Sequence, residues 1–360
     1  MFALQYSSFG APDVLTVGPV DAPHAGPGQV RIAVRAAGVA PTDALLRAGR
    51  LRPSLAWPHV PGVDAAGVVD EVGEGVGDVR PGDEVFGAVD VMRLGGATAQ
   101  YAVLQFWAPR PAALTWEQAA ALGTSAETAT RVLDLLGVGA GTTLLVDGAA
   151  GGVGSVAVQL AVARGARVVG TGSPGNQDFL RDIGALPTTY GPGLPDRVAE
   201  LVPEGVDAAL DVAGAGSLPA LVSVTGDPGR VVTIADFSAG GHGVRLSHAG
   251  SGDPDGRHGL AVAAGLAAAG RLRVPVRATF TLDRAAEAHE LAASGQAAAR
   301  SCCGWRRTEA APFGPAGPDR APGGVTRPRA TPRRAACAGA APPRPARPRR
   351  PSPPALRPSA

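Results

Sequence analysis

The 360-residue sequence predicts an α/β protein with a β-rich N-terminal region, followed by a doubly wound parallel sheet. Two observations predict this class. Up to about residue 120, short apolar runs are separated by Gly, Pro and Asp, as tight turns between strands require. From about residue 125, apolar runs of four to six residues alternate with helical patterns, which parallel strands need for their crossover connections.

The N-terminal region reads as half-buried strands. In QVRIAVRAAG, apolar residues alternate with arginines in the period of two that is typical of a strand with one buried face. Short Val-rich runs follow in AAGVVDEVGEGVGDVRPGDEVFG. The first helix is predicted at TWEQAAALG, where Thr115 can cap and Glu117 lies in the first turn, and no helix is expected before it.

The central region alternates strands and helices. The predicted strands lie in TLLVDG, ARVVGTG, VDAALDVAG and GRVVTIAD. The helices between them lie in GGVGSVAVQLAVARG, NQDFLRDIG and LPDRVAELV, and two more are predicted in HGLAVAAGLAAAGRL and LDRAAEAHELAASG.

Charge and cysteine usage divide the chain near residue 300. Residues 1–300 hold 21 arginines against 29 acidic residues, whereas residues 301–360 hold 12 arginines against two. All three cysteines, Cys302, Cys303 and Cys337, lie in the second part, so the first offers no thiolate for a nucleophile or a soft metal. Without a signal or an apolar span of about 18 residues, we expect a soluble cytoplasmic protein with neither membrane nor nucleic acid as a partner.

The last 60 residues do not read as a packed domain. They contain 14 prolines and 12 arginines without periodicity, which predicts a disordered tail. The segment AAARSCCGWRR shows no period of two, so no strand is expected there. One hypothesis is a reading-frame slip near Ala297, which resequencing the gene would test. The alternative is a basic, Pro-rich arm for anionic partners or for domains that bind polyproline helices.

A glycine-rich turn joins one strand to the next helix. TLLVDG runs into Gly148-Ala149-Ala150-Gly151-Gly152-Val153-Gly154 and then into SVAVQLAVARG. Such glycines permit a tight turn and let a pyrophosphate approach the backbone at a helix N-terminus. The order of strand, glycine turn and helix therefore favours a dinucleotide site over a slack turn.

The end of the next strand indicates which dinucleotide binds. NAD enzymes usually place an acidic residue there for the ribose 2′-hydroxyl. Here TGSPGNQ carries no acid before Asp178, so a 2′-phosphate can lie beside Ser173 and Asn176. We therefore favour NADP(H) over NAD(H).

The order of PGVDAAGVV, VRPGDEVFG, ALGTSAETA and GAAGGVG resembles the medium-chain dehydrogenase/reductase superfamily, and within it the zinc-free quinone oxidoreductase-like branch. The resemblance covers residues 1 to about 296. It implies a GroES-like substrate domain over residues 1–122, a Rossmann domain over 123–250, C-terminal helices over 251–300 that return to the substrate domain, and the tail over 301–360. It also implies an active cleft between the two domains and a homodimer formed by edge strands of the Rossmann sheet.

The resemblance also bears on chemistry. Zinc-dependent members hold catalytic zinc with a Cys, a His and a Cys or Asp, whereas Ala40 and Val63 stand at two of the matching positions here. No metal site is therefore expected. Without a Lewis acid, hydride transfer from NADPH to a small electrophile, a quinone or an α,β-unsaturated carbonyl, is the reaction that remains favourable.

Single residues match the family's motifs. Asp43 matches the acidic residue of its N-P-x-D/E motif at the cleft, with Ala40 in place of the Asn; its alternative is a helix cap. Thr128 matches the segment that contacts the nicotinamide and pyrophosphate. Val212 and Ile234 match positions beside the nicotinamide ribose, or are ordinary core. Tyr190 matches a tyrosine near the adenosine phosphate, or is a half-buried aromatic.

The histidines show no metal spacing and each is interpreted as a surface or loop residue: His24, His59, His242, His248, His258 and His289. The loop DFSAGGHGVRLSHAGSGDPDG is predicted to form a mobile edge of the cleft. No general acid is identified, so solvent can protonate the product. The alternatives to a quinone or enone reductase are a non-catalytic NADPH-binding or sensor protein and an enoyl-thioester reductase.

Overall fold

The computed structural model describes residues 1–51 and 54–294, together with the backbone of residues 300–304. These residues belong to one unit of the chain, Met1–Thr308, and the second unit, Glu309–Ala360, lies outside the described residues. The predicted disorder of the tail therefore falls almost entirely outside them and stays a prediction.

The described strands are β1 Phe2–Gln5, β2 Thr16–Pro19, β3 Val30–Val39, β4 Asp64–Val72, β5 Glu84–Val89, β6 Tyr101–Pro109, β7 Thr143–Asp147, β8 Arg167–Thr171, β9 Leu186–Thr188, β10 Ala208–Asp211, β11 Val231–Thr233, β12 Arg245–Leu246, β13 Val276–Thr281 and β14 Arg300–Gly304. The described α-helices are α1 Pro41–Arg47, α2 Trp116–Ala120, α3 Gly123–Leu135, α4 Gly152–Ala163, α5 Gln177–Asp182, α6 Leu194–Leu201, α7 Leu218–Thr225, α8 His258–Ala268 and α9 Ala285–Ala293. Short 3-10 turns lie at Pro12–Val14, Val91–Arg93, Pro174–Asn176, Pro228–Arg230, Ala239–His242 and Leu282–Arg284.

The N-terminal domain is built on a mainly antiparallel sheet. Its strand order is β13-β14-β3-β4-β5-β6, and β3 also pairs with β6, so that the sheet curls toward closure. Apolar side chains of these strands, among them Val30, Ile32 and Leu104, are fully buried inside it. This confirms the β-rich N-terminal region that the alternating patterns predicted.

The second sheet is parallel and doubly wound. Its order is β12-β11-β10-β7-β8-β9, and every pairing between neighbours is parallel. The chain first runs outward from β7 to β9 and then continues on the other side of β7 with β10. The switch point therefore lies between β7 and β10, and ligands of such sheets bind at the carboxyl ends of the strands at this point.

The helices confirm most of the sequence patterns. Thr115 caps α2, with its hydroxyl accepting a hydrogen bond from the Gln118 amide at 3.2 Å. The expectation of no helix before Thr115 is wrong, because α1 spans seven residues. The interpretation of Asp43 as a helix cap did allow for this helix. The sequence patterns also failed to predict helices α3 and α7.

The absence of a strand after Ala297 is the second wrong expectation. The backbone of β14 pairs in parallel with β13 and antiparallel with β3. A strand with neighbours on both sides satisfies its backbone groups through them, so it does not need an alternating sequence of its own. The reading-frame hypothesis relied on the absence of this strand and therefore loses that support. The hypothesis itself stays untested.

The C-terminal segment connects the two domains. Helix α8 packs against α3, and its apolar residues Leu260 and Ala263 join the core around the parallel sheet. The chain then enters the first sheet through β13, and α9 packs on α1 and β13. The domain boundaries at residues 122, 250 and 300 stay a prediction.

Candidate active site

The glycine-rich turn lies between β7 and α4, at the switch point of the parallel sheet. Gly148 follows β7 with a φ of +81°, a conformation that favours glycine. A Cβ at Gly154 would lie 2.3 Å from the Gly148 carbonyl oxygen, so only glycine lets α4 approach the turn this closely. The first turn of α4, at Gly152, Val153 and Gly154, carries amides without intrahelical acceptors. With Ala150 and Gly151 before it, the turn has the shape of a pyrophosphate cradle.

Two buried carboxylates lie beneath this cradle, and the sequence reasoning missed both. Asp147 ends β7 and accepts hydrogen bonds from the hydroxyls of Thr171 and Ser217, each at 2.5 Å. Thr171 Oγ1 also accepts the Gly148 amide at 3.0 Å, so the carboxylate reaches the first glycine of the turn through one hydroxyl. The signal that could have identified Asp147 is its position as the last residue of a buried strand directly before the glycines.

Asp211 ends β10 and organises the next loop. Its Oδ1 accepts the amides of Ala213 and Gly214, both at 2.9 Å, and its Oδ2 accepts the Thr233 hydroxyl at 2.7 Å. Burial raises the pKa of Asp211 above its ordinary value, although these hydrogen bonds act in the opposite direction. The Asp211 carboxylate therefore holds the loop after β10 through two amides and the end of β11 through the Thr233 hydroxyl.

Val212 and Ile234 follow these two strands, as predicted. The Val212 amide donates to the Asp147 carbonyl and the Ile234 amide to the Asp211 carbonyl, both at 3.0 Å. Val212 also lies against Gly148, because a Cβ at that glycine would be 3.0 Å from Val212 Cγ2. Both side chains are partly buried at the carboxyl edge of the sheet. Their contact with the nicotinamide ribose stays a prediction.

The end of β8 forms a polar edge beside the cradle. Ser173 and Asn176 are in contact, with Asn176 Nδ2 donating to Ser173 Oγ at 3.0 Å. The first acidic residue after β8, Asp178, is 96 % exposed and pairs with Arg181 at the surface. No carboxylate of the described residues 172–177 therefore competes with an anionic group at this edge.

Tyr190 lies in the loop after β9, next to this edge. It is 59 % exposed, so the interpretation as a half-buried aromatic is wrong. The guanidinium of Arg197 donates to the carbonyls of Thr189 at 2.9 Å and Tyr190 at 3.4 Å. Sequence reasoning missed Arg197, which holds the loop and brings a positive charge to this side of the sheet.

Asp43 is almost fully buried at the start of α1. Its Oδ2 accepts the Ala40 amide at 2.7 Å, and its Oδ1 accepts the Gly62 amide at 3.2 Å. The carboxylate thus caps α1 and ties it to the segment before Val63. The helix-cap interpretation is confirmed, and a catalytic role stays a prediction.

A second buried acid, Asp64, follows Val63 and was also missed. It accepts the Thr124 amide at 2.6 Å and the Thr124 hydroxyl at 2.7 Å, which fastens the start of α3 to β4. Asp43, through its bonds to the Ala40 and Gly62 amides, holds the segments that carry Ala40 and Val63 next to each other. Among the described residues, no three His, Cys, Asp or Glu side chains come together as metal ligands would.

Thr128 lies half-buried on α3. Its hydroxyl donates to Glu127 Oε2 at 3.0 Å and accepts from Arg131 at 3.4 Å. Because both neighbours are charged, the orientation of this hydroxyl is fixed. Its predicted contact with the nicotinamide and pyrophosphate is untested.

The interpretation of the six histidines as surface or loop residues is wrong for His289, whereas His59 does lie between the named helices and strands. His59 is buried and its Nε2 lies 3.1 Å from the Leu94 carbonyl. His289, on α9, is 1 % exposed. Burial, followed by the nearby charge of Arg47, lowers the pKa of His289 to about 4. Single-residue patterns could not show this, because distant elements supply the burial.

Two family models match separate parts of the chain. The Alcohol dehydrogenase GroES-like domain matches residues 26–113. The Zinc-binding dehydrogenase model matches residues 193–300. In the part of the chain that the structure describes, no helix is both long and apolar enough to cross a bilayer.

Similar proteins agree with this assignment. A quinone oxidoreductase of Sus scrofa is 31 % identical over 310 residues, which cover 81 % of this chain and 93 % of that protein. An NADPH-dependent alkenal/one oxidoreductase of Arabidopsis thaliana, a chloroplast protein, is 34 % identical over 246 residues, which cover 65 % of this chain and 62 % of that protein. The structure of the quinone oxidoreductase from Coxiella burnetii superimposes with a TM-score of 0.70 at 26 % identity, covering 85 % of this chain and 99 % of that one. With its GroES-like and Rossmann sheets, the chain therefore belongs to the medium-chain dehydrogenase/reductase superfamily, with quinone oxidoreductases among its homologues.

Proposed function

We propose that the chain is an NADPH-dependent oxidoreductase that transfers hydride to a quinone or an α,β-unsaturated carbonyl without zinc. The observation that carries the choice of cofactor is the edge after β8. There Ser173 and Asn176 contact each other, and the nearest acid, Asp178, faces solvent. A ribose 2′-phosphate needs hydrogen-bond donors and no opposing carboxylate. This edge provides both conditions.

The residues present fit a dinucleotide. A Cβ at Gly154 would fill the turn, and the amides of Gly152 and Val153 at the start of α4 would hold the pyrophosphate. Ser173 and Asn176 would hold the 2′-phosphate, with Tyr190 beside them. Val212 and Ile234 would line the nicotinamide side. The named Arabidopsis relative uses NADPH, which supports this choice.

The bound cofactor would supply a hydride, and the chain would orient and shield it. Ala40 and Val63 carry no metal-ligating atom, although the family description mentions zinc. Both side chains are apolar, and an apolar surface on the substrate side would suit a flat, conjugated electrophile that already accepts hydride without a Lewis acid. The carboxylates of Asp43 and Asp64 hold backbone and hydroxyl groups, so we assign the product's proton to solvent.

Cofactor oxidation with a panel of acceptors tests the proposal. The purified chain is mixed with NADPH or NADH and with 1,4-benzoquinone, an alkenal or a crotonyl thioester, and the loss of absorbance of the reduced cofactor is followed. We expect turnover with NADPH and the quinone or the alkenal, unchanged after dialysis against a chelator. Tight NADPH binding without turnover of any acceptor would favour the non-catalytic alternative. Turnover of the thioester alone would favour the enoyl-thioester reductase.

We also propose a homodimer formed through the edge of the parallel sheet. Among the described strands β12 lies at one edge of that sheet, where its outer backbone groups can pair with a second copy. Light scattering on a size-exclusion column gives the mass directly. A monomer at micromolar concentration would contradict this assignment without affecting the proposed reaction.

A further inference from the structure

A buried arginine connects α3 to the segment that follows β12. Arg131 is 5 % exposed. Its Nε donates to Glu127 Oε1 at 3.0 Å, one terminal nitrogen donates to Ser247 Oγ, and the other donates to Thr128 Oγ1 at 3.4 Å. A guanidinium with three side-chain acceptors on two elements fixes their relative position. We call residues 247–256 the 247–256 loop.

The same network continues into the loop. The Ser247 hydroxyl donates a hydrogen bond to Asp253 Oδ2 at 2.6 Å, and the Ser251 hydroxyl donates to the same oxygen at 2.7 Å. The Asp253 side chain is 1 % exposed and forms an ion pair with Arg245. Burial opposes its charge, but the hydroxyls of Ser247 and Ser251 and the pair with Arg245 together lower the pKa of Asp253. Asp253 is therefore the internal anchor of the loop.

Both ends of the loop are fastened to the framework. At its start the Ser247 amide donates to the Thr233 carbonyl at 2.9 Å, at the carboxyl edge of the parallel sheet. At its end the Gly256 amide donates to Glu127 Oε1 at 3.1 Å. A Cβ at Gly256 would lie 2.0 Å from the Glu127 carbonyl oxygen, so the loop returns directly onto α3.

The middle of the loop reaches the N-terminal domain. A Cβ on Gly250 would lie 3.8 Å from Cε of Met92, in the turn Val91–Arg93 that follows β5. The loop thus runs from the strand ends of the parallel sheet to the other domain. Ligands of such sheets lie outside these strand ends, so the loop borders the cleft in which they bind.

We propose that Arg131 is a positioning residue that holds the 247–256 loop closed as a wall of the cofactor cleft and fixes the Thr128 hydroxyl through their hydrogen bond. The cofactor assignment within this inference rests on the proposed function. Arg131 itself is enclosed by its partners and does not reach the reacting atoms. Its loss therefore weakens retention of the cofactor more than the turnover of the saturated enzyme.

Three variants of the full chain test the inference. R131M removes the hydrogen bonds of the guanidinium and keeps much of its bulk, and S247A breaks the link between Arg131 and Asp253. R164M is the control at the other end of helix α3: Arg164 donates to Asp134 at 2.8 Å and to the Val138 carbonyl at 3.5 Å, and Asp134 has a second partner in His258. The readouts are the Kd for NADPH by fluorescence, the separate KM and kcat values, and the rate of tryptic cleavage after Arg245 and Arg257, which flank the loop.

We expect R131M and S247A each to raise the Kd and KM for NADPH about tenfold, with kcat changed by less than about threefold, since a charge-assisted network is lost without touching the chemistry. In the apo forms of R131M and S247A, we also expect the rate of tryptic cleavage after Arg245 and Arg257 to rise about tenfold. R164M should change neither the Kd for NADPH nor the cleavage rate. The double variant R131M/S247A behaves like R131M alone, because both changes break one network.

The inference is overturned if R131M and S247A keep wild-type Kd and cleavage rates, or if R164M changes both as much as they do. If R131M does not fold, S247A alone decides by the same criteria. The cleavage assay needs no cofactor. A wild-type chain that fails to bind NADPH therefore refutes the proposed function, while the cleavage rates still decide whether Arg131 holds the loop.

Discussion

Asp147 and Asp211 are register partners on neighbouring parallel strands, β7 and β10, at the switch point of the Rossmann sheet. Both are almost fully buried. Each carboxylate is satisfied by hydroxyl or amide donors, and each holds a loop that borders the cofactor site. The two carboxylates would repel each other, and hydrogen-bond donors to each of them stabilise them side by side. The same hydrogen bonds shape the cradle.

Replacing Asp211 with Asn tests how much the ionised Asp211 carboxylate destabilises the folded state. The folded-state pKa of Asp211 is raised above 3.8, so the native state holds its proton at pH values where the unfolded chain has lost it. Stability from this group therefore falls as pH rises above 3.8. We expect the Tm of the wild type, relative to D211N, to decrease as pH is raised from 3.8 through the folded pKa. A Tm difference that is flat across this range would contradict the raised pKa.

Gly154→Ala tests the cradle. The new Cβ would lie 2.3 Å from the Gly148 carbonyl oxygen, and α4 must shift away from the turn. Overpacking of about 1–3 kcal/mol corresponds to a loss of NADPH affinity of roughly 5- to 150-fold if the strain falls on the site. Titration of NADPH fluorescence measures this. Gly139→Ala is the control, since a Cβ there meets no atom within 4 Å; equal affinities of the two variants would argue against the cradle.

Ser173→Asp tests the choice of cofactor. A carboxylate at this position would repel a 2′-phosphate and accept the ribose hydroxyls of NADH. We expect the ratio of kcat/KM for NADPH over NADH to fall at least about tenfold, the equivalent of roughly 1.4 kcal/mol. Asp178→Asn should leave the ratio unchanged, because that side chain is 96 % exposed and faces away. An S173D enzyme with the wild-type preference would remove the β8 edge from the cofactor site.

Local sequence features predicted the parts of the fold that a short stretch determines. The cradle is one such part, because strand, glycine turn and helix follow each other within residues 143–163. The capped start of α2 at Thr115 is another, since a cap involves only neighbouring residues.

What the sequence did not reveal depends on contacts between distant residues. Strand β14 exists through β3 and β13 rather than through its own pattern. The link from Arg131 to Ser247 joins residues 116 positions apart. The buried pair Asp147 and Asp211 becomes visible only when the register of β7 and β10 is known. Such features follow from packing and not from periodicity.

His289→Leu tests the second buried titratable group. Burial and the charge of Arg47 lower the pKa of His289 from 6.5 to about 4. The unfolded chain therefore binds this proton more tightly, and stability falls as pH is lowered from 6.5 toward 4. A shift of this size corresponds to about 3 kcal/mol of unfolding free energy once pH is below the folded value.

The variant should remove this dependence and cost little at pH 7.5, where the imidazole is neutral and its Nδ1 has no hydrogen-bond partner among the described residues. Urea unfolding at pH 7.5, 6 and 4.5 measures the effect, and we expect the free energy of the wild type to decline relative to H289L over that series. His24→Leu serves as the control for removing an imidazole, since its side chain is 80 % exposed. Parallel curves for the wild type and H289L would show that burial of His289 does not couple folding to its protonation.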